Sequence, residues 1–129
     1  MSGRKDRKDV ELSWIYPPAL EELGRVAYHG AEKYGDGYNY LGGFDWSLSY
    51  NAAQRHLMKF WAGDDTDTES GYSHLAHAAW HCLALLAFVQ RDVGDDDRPT
   101  PPSSGGAASP VPDNVIRDVP WGRRPKAAA

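Results

Sequence analysis

Four of the chain's five histidines and four closely spaced carboxylates fall between Arg55 and His81, in the stretch RHLMKFWAGDDTDTESGYSHLAHAAWH. Arg55 and His56 open it, Asp64, Asp65, Asp67 and Glu69 fill its middle, and His74, His77 and His81 close it. Imidazole and carboxylate side chains together make the donor set of a divalent-cation site, and they are also the side chains that most often move protons in catalysis. A solvated loop explains the acids alone, but not histidines on the apolar side of both flanking helices. The acids do not follow the EF-hand pattern, which needs a glycine at the loop centre and a closing glutamate. Asp67-Thr68-Glu69-Ser70-Gly71, just ahead of a helical run, equally suits capping chemistry.

Two helices must position these groups. The first runs from a Ser47 N-cap to about Trp61, with Ala53, Leu57, Phe60 and Trp61 as its apolar stripe. His56 lies three residues after Ala53 and four before Phe60, so it points along that stripe. Arg55 and Lys59 share the adjacent face at i, i+4, as a clamp for phosphate oxygens or as a solvated flank. Gly63 ends the helix. The second, about Tyr72 to Gln90, is apolar around nearly its whole circumference, so it is expected to be the central, buried helix. Its Cys82 is read as a small buried core residue. His74, His77 and His81 recur at i, i+3 and i+7, and one turn on the same face becomes Leu85 and Phe88. A polar stripe that turns into core along one helix marks the mouth of a pocket. One histidine there is usually a satisfied core residue; three in line beside His56 and an acidic loop indicate a site.

Upstream, residues 1–8 read as a flexible arm. Ser13 to Tyr16 is a short apolar segment stopped by Pro17-Pro18, and a further helix follows from Ala19 to about Tyr34. Leu20, Leu23, Ala27 and Ala31 form its stripe. Glu21 and Glu22 fall in its first turn, where carboxylates favour the helix dipole, and Glu22 is alternatively a metal-facing group. Gly35 is the expected terminator. Residues 35–45, GDGYNYLGGFD, form a glycine- and tyrosine-rich connection, either a plain turn-rich link or a loop that lays a ring against a planar ligand. After Arg91 the chain is rich in Pro, Gly, Ser and Asp without periodicity, giving a helical domain over 9–91 and a disordered tail over 92–129. Within that tail Val115 to Trp121 is an apolar island ahead of basic GRRPK, which either docks on the domain or a neighbouring subunit or stays disordered.

Composition excludes some classes. A net charge of −4 and a pI near 5.6 argue against a nucleic-acid binder, which normally carries a basic face. One cysteine rules out a disulfide framework and a cysteine metal site. No apolar run has the length of a membrane span, so a soluble, cytoplasmic protein with no membrane or nucleic-acid partner is expected.

With these residues assembled, the chain from about Lys8 to Arg91 resembles a phage-borne family of dATP/dGTP diphosphohydrolases, related in scheme to the MazG-like NTP pyrophosphohydrolases. The resemblance is carried by Pro17-Pro18, Gly30-Ala31-Glu32-Lys33-Tyr34-Gly35, Asn39-Tyr40, Arg55-His56, Trp61-Ala62-Gly63, Asp67-Thr68-Glu69-Ser70-Gly71 and His74-Leu75-Ala76-His77-Ala78. Each motif is weak alone, while their order and spacing are fairly specific. The ExxE and ExxD pairs that hold magnesium in MazG-like enzymes are missing; His74-x-x-His77 keeps the i, i+3 spacing of ExxD with a different ligand type. The residues alone support a metal-assisted site in a helical domain, and the resemblance adds the substrate. It implies an all-α fold, a small bundle of three main helices completed as a homodimer or higher homo-oligomer. The implied reaction is hydrolysis of a purine deoxynucleoside triphosphate to monophosphate and pyrophosphate, in the host cytoplasm if the gene is a phage's. His56, Asp67 and His77 are the catalytic candidates, and His56, Asp67, Glu69, His74, His77 and Glu22 the candidate ligands of Mn, Mg, Co or Zn. Lys33, Arg55 and Lys59 would neutralise the triphosphate, and Tyr34, Asn39 and Tyr40 would contact base or sugar. The rival reading is a non-enzymatic phage interaction module with the histidine stripe as a seam between subunits.

Overall fold

Two prolines set where the first helix begins. Pro17 and Pro18 occupy its first two positions, where a missing N–H costs nothing. In the computed structural model, which describes residues 2–99, this helix α1 spans Pro17–Tyr34. It is followed by α2 (Trp46–Trp61) and α3 (His74–Arg91), with single 3-10 turns at Leu12–Trp14 and Asn39–Gly42. Among the described residues the only β feature is an isolated bridge between Thr66 and Ser73, so the fold is all-α, as the periodicity predicts. No described helix is long and apolar enough to cross a membrane. Residues 2–8 are exposed and lie outside any helix.

Starting at Pro17 rather than Ala19 moves Glu21 and Glu22 out of the first turn, so neither meets the helix dipole as expected. Glu21 instead pairs with Arg25 one turn further on. Gly35 does end α1, with φ +84 and its N–H donating to the Ala31 carbonyl at 2.6 Å.

The start of α2 departs from the sequence expectation in an instructive way. Ser47 is not its N-cap, because the helix begins at Trp46. The capping carboxylate comes instead from Asp97, fifty residues downstream: it accepts the Ser47 backbone N–H at 2.9 Å and the Ser47 hydroxyl as well. The Trp46 backbone N–H donates to the Asp95 carbonyl at 3.0 Å, and the Trp46 indole N–H to the Val93 carbonyl at 3.0 Å. Arg98 lies over the Trp46 ring at 5.0 Å and holds buried Asp96 through two bonds, at 2.7 and 2.6 Å. At Gly43 (φ +81) and Gly94 (φ +78) the two backbones come so close that neither position has room for a Cβ. Residues 93–98, which composition places in the tail, are therefore packed on the domain, and the Asp97 carboxylate serves the N-terminus of α2. Residues 100–129, including the Val115–Trp121 island, lie outside the described residues.

Ser73 caps α3, its Oγ accepting the Leu75 N–H at 3.0 Å. α2 packs along α3, and α1 leans on α3 from another side. The buried apolar residues are small (Val26, Ala52, Ala53, Ala76, Ala78, Ala84), apart from fully buried Phe88, whose ring meets Phe44 edge-on at 4.9 Å. α3 is not buried all round as its composition suggests: two neighbours cannot enclose it, and Leu75, Leu86 and Val89 remain 42%, 49% and 44% exposed. Cys82 lies on the same open face and is exposed rather than part of the core.

Candidate functional site

The histidines of α3 face α2, and there they meet His56. The His56 and His74 Nδ1 atoms are 2.9 Å apart, and the His56 ring stacks on His77 with centroids at 4.6 Å and an 11° angle. The loop between the helices closes the cluster from the third side. Asp67 is fixed by its own turn, Oδ2 accepting the Ser70 backbone N–H at 3.0 Å and the Ser70 hydroxyl at 2.9 Å. The Asp67 N–H donates to the Tyr72 carbonyl and Gly71 takes φ +80, so the loop is a built turn. It sets Asp67 Oδ2 3.6 Å from His77 Nε2, which also lies 2.7 Å from Ser70 Oγ. Donor atoms of His56, Asp67 and His74 all lie within 4.8 Å of one another. Two imidazoles and a carboxylate converging at that range fit a divalent cation, and the nitrogen content favours Mn, Co or Zn over Mg.

The protonation states suit ligation. Burial, then the neighbouring His77, lowers His56 to about 4; burial, then His56, does the same for His81. His77 is pushed down too, mainly by burial. These imidazoles are therefore neutral at neutral pH, the form that binds a metal. Burial alone would raise the Asp67 carboxyl, but the two Ser70 donors, with His77 and His56, hold it below its ordinary range, so it is ionised. A stability consequence follows. Between pH 6.5 and about 4 the unfolded chain takes up protons on these histidines that the folded chain refuses, so stability falls on acidification. The Tm of metal-free protein is expected to hold above pH 7 and fall steadily from 6.5 towards 4; a Tm constant over that window contradicts the buried neutral cluster.

The cluster lies in the wall of a cleft of about 550 Å³, within the usual range for small-molecule sites. Of the residues singled out from sequence, Lys33, Tyr34, Asn39, Tyr40, Arg55, His56, Asp67, Glu69 and His77 all line it. His74 does not, being 1% exposed behind His56. Glu69 faces the cleft, but its carboxylate pairs with the Lys33 ammonium at 3.1 Å, raising the Lys33 pKa. Glu22 is not among the lining residues; it lies two helical turns before His29, the α1 residue nearest the imidazoles. Lys59 also lies outside the lining, one turn past Arg55 on α2.

Of the remaining groups at the site, His29, Ser49 and Trp80 were not singled out by sequence, whereas Asp64 and His81 belong to the acidic loop and histidine stripe read there. His29 on α1 meets the His77 ring edge-on at 6.4 Å; its signal was its place three residues after Val26 and four before Lys33. Asp64 Oδ2 is 3.2 Å from His74 Nε2 and fixes the orientation of that ring. His81 Nδ1 is 3.2 Å from the hydroxyl of buried Ser49, which anchors the far end of the stripe. Trp80 meets Tyr40 edge-on at 5.4 Å and forms an aromatic wall of the cleft.

Residues 1–98 match the protein family described as dATP/dGTP diphosphohydrolase, N-terminal. The chain is 32% identical over 121 residues to a protein of Salmonella phage PMBT28 named dATP/dGTP diphosphohydrolase. That match takes in 88% of this chain but spans only 41% of the length of that relative. No solved structure matches the chain.

Proposed function

We propose that this chain, which belongs to the dATP/dGTP diphosphohydrolase family through its residues 1–98, hydrolyses purine deoxynucleoside triphosphates to the monophosphate and pyrophosphate. The observation that carries this reading is the convergence of His56, Asp67 and His74, with His77 beside them, at the wall of a cleft that Lys33 and Arg55 line. His56, Asp67 and His74 would hold a divalent cation, with His77 beside them. The cation supplies positive charge beside the phosphate oxygens and makes a water easier to deprotonate.

The chain's own groups do the remainder. Lys33 from α1 and Arg55 from α2 border the cleft and neutralise the triphosphate, since phosphoryl transfer depends chiefly on positioning and charge stabilisation. Tyr40 and Trp80, set edge to face, offer aromatic surface to the purine, with Tyr34 and Asn39 close by in the lining. A water attacks the α-phosphorus, and its proton passes to the ionised Asp67 carboxylate or to neutral His77. The bond from the α-phosphorus to the bridging oxygen breaks, and pyrophosphate leaves with the electron pair. Ser70 donates to Asp67 and borders His77 Nε2, which keeps both acceptors in place.

The interaction-module reading needs histidines available to another subunit. His74 and His77 are 1% and 9% exposed and directed at α2, which favours the site. A thermal melt tests the cation directly. Manganese or cobalt is expected to raise the Tm, EDTA to reverse the shift, and His56→Ala, which removes one of the three proposed ligands, to reduce it severely. Identical melts with and without metal would remove the cation from the account.

A further inference from the structure

Leu75, Ala79, Cys82, Leu86 and Val89 follow one another along α3 at steps of four, three, four and three, and all five are exposed. That alternation is the seam of a two-helix coiled coil. α1 and α2 pack on other sides of the helix, and no charged residue interrupts α3 before Arg91. None of the five lines the cleft, so the seam and the candidate site occupy different faces.

The arrangement also says what covers the seam. It is close to its own image on reversal: Leu75 and Val89 each lie seven residues from Cys82, and Ala79 and Leu86 lie three before and four after it. A second copy running antiparallel, with a two-fold axis at Cys82, sets Leu75 against Val89 and Ala79 against Leu86, which is the self-complementarity an isologous contact requires. The small side chains at 79 and 82 let the helix axes approach closely at the centre. The helix dipoles fix the direction. Antiparallel pairing opposes them, whereas parallel pairing sets like ends together. At 1.5 Å per residue, the 18 residues of α3 give a seam about 27 Å long.

We infer that the chain pairs with a second copy of itself through this face of α3, antiparallel and two-fold about Cys82. The homo-oligomer expected from sequence thereby acquires a surface, independently of the proposed activity.

The single cysteine makes the test specific. The full chain, sedimented at micromolar concentration, is expected to be a dimer. Diamide, which takes two protons and two electrons from a pair of thiols, is expected to convert it to a disulfide-linked species of twice the mass that dithiothreitol reverses. Leu86→Asp puts a carboxylate from each copy into the seam; it is expected to weaken the dimer by roughly a hundredfold or more and to abolish cross-linking, with helicity kept. A chain that sediments as a monomer overturns the inference, including one whose own residues 100–129 shield the thiol. A dimer that does not cross-link at Cys82, or that persists in folded Leu86→Asp, overturns it too. Should Leu86→Asp not fold, the cross-linking yield of the unaltered chain against that of the urea-unfolded chain decides.

Discussion

Replacing His56 by alanine is expected to cut pyrophosphate release from a purine deoxynucleoside triphosphate by about 10²–10³-fold, the scale of losing a group that works on the reacting centre. His56 touches every other imidazole of the α3 stripe: it is 2.9 Å from His74 by Nδ1, stacked on His77 at 4.6 Å, and 6.3 Å from His81 by ring centroid. Its removal takes one donor from the cluster and also the ring against which His77 is held. The fold should survive, because His56 is only half-buried and is neutral at pH 7, its pKa being lowered to about 4, so its loss leaves no partner charge unpaired. Circular dichroism should therefore match the unaltered protein while the turnover number collapses. A loss of only a few-fold, in a folded variant, would mean that the chemistry lies elsewhere.

The largest loss of stability is expected from Phe88→Ala. Phe88 is fully buried, the largest such side chain among the described residues, in a core otherwise made of alanines and one valine. Its ring meets Phe44 edge-on at 4.9 Å, and its carbonyl accepts the Val93 N–H at 3.1 Å. It therefore joins the end of α3 to the connection before α2 and to the returning segment that caps α2. Truncation of a buried phenylalanine costs about 3–5 kcal/mol, and a domain of this size loses roughly 4–8 °C per kcal/mol. A fall in Tm of more than about 10 °C is thus expected, with wild-type behaviour for an exposed control such as Tyr38→Ala. A drop of a degree or two would show that this corner does not hold the bundle.

Helix periodicity made the three helices legible in sequence, with boundaries good to about two residues. The site was legible because three of its histidines repeat at i, i+3 and i+7 on one helix and the fourth lies on the apolar stripe of its neighbour. What local reading missed depends on long-range contact. Asp97 as the cap of α2 could not be found, since its partner Ser47 is fifty residues away and the composition around Asp97 is that of a solvated tail. The Lys33–Glu69 pair likewise joins α1 to the loop before α3, and it turns a candidate ligand into the partner of a candidate phosphate-binding lysine. Glu22 was a candidate only through its helical spacing to the apolar residues of α1, which does not say where along α1 the cluster lies; His29, Gly30 and Lys33, near the end of the helix, line the cleft. Cys82 and the apolar residues around it read as core because hydropathy reports the need for cover without saying which chain provides it.

The central claim is most directly tested by the products. Purified protein would be incubated with each of the four deoxynucleoside triphosphates and with manganese, magnesium, cobalt or EDTA, and the nucleotides and phosphates then separated. The account predicts dGMP or dAMP together with pyrophosphate, formed with a divalent cation and absent with EDTA, and little turnover of the pyrimidine nucleotides. No turnover of any nucleotide with any metal, or release of inorganic phosphate with the diphosphate as product, would contradict it.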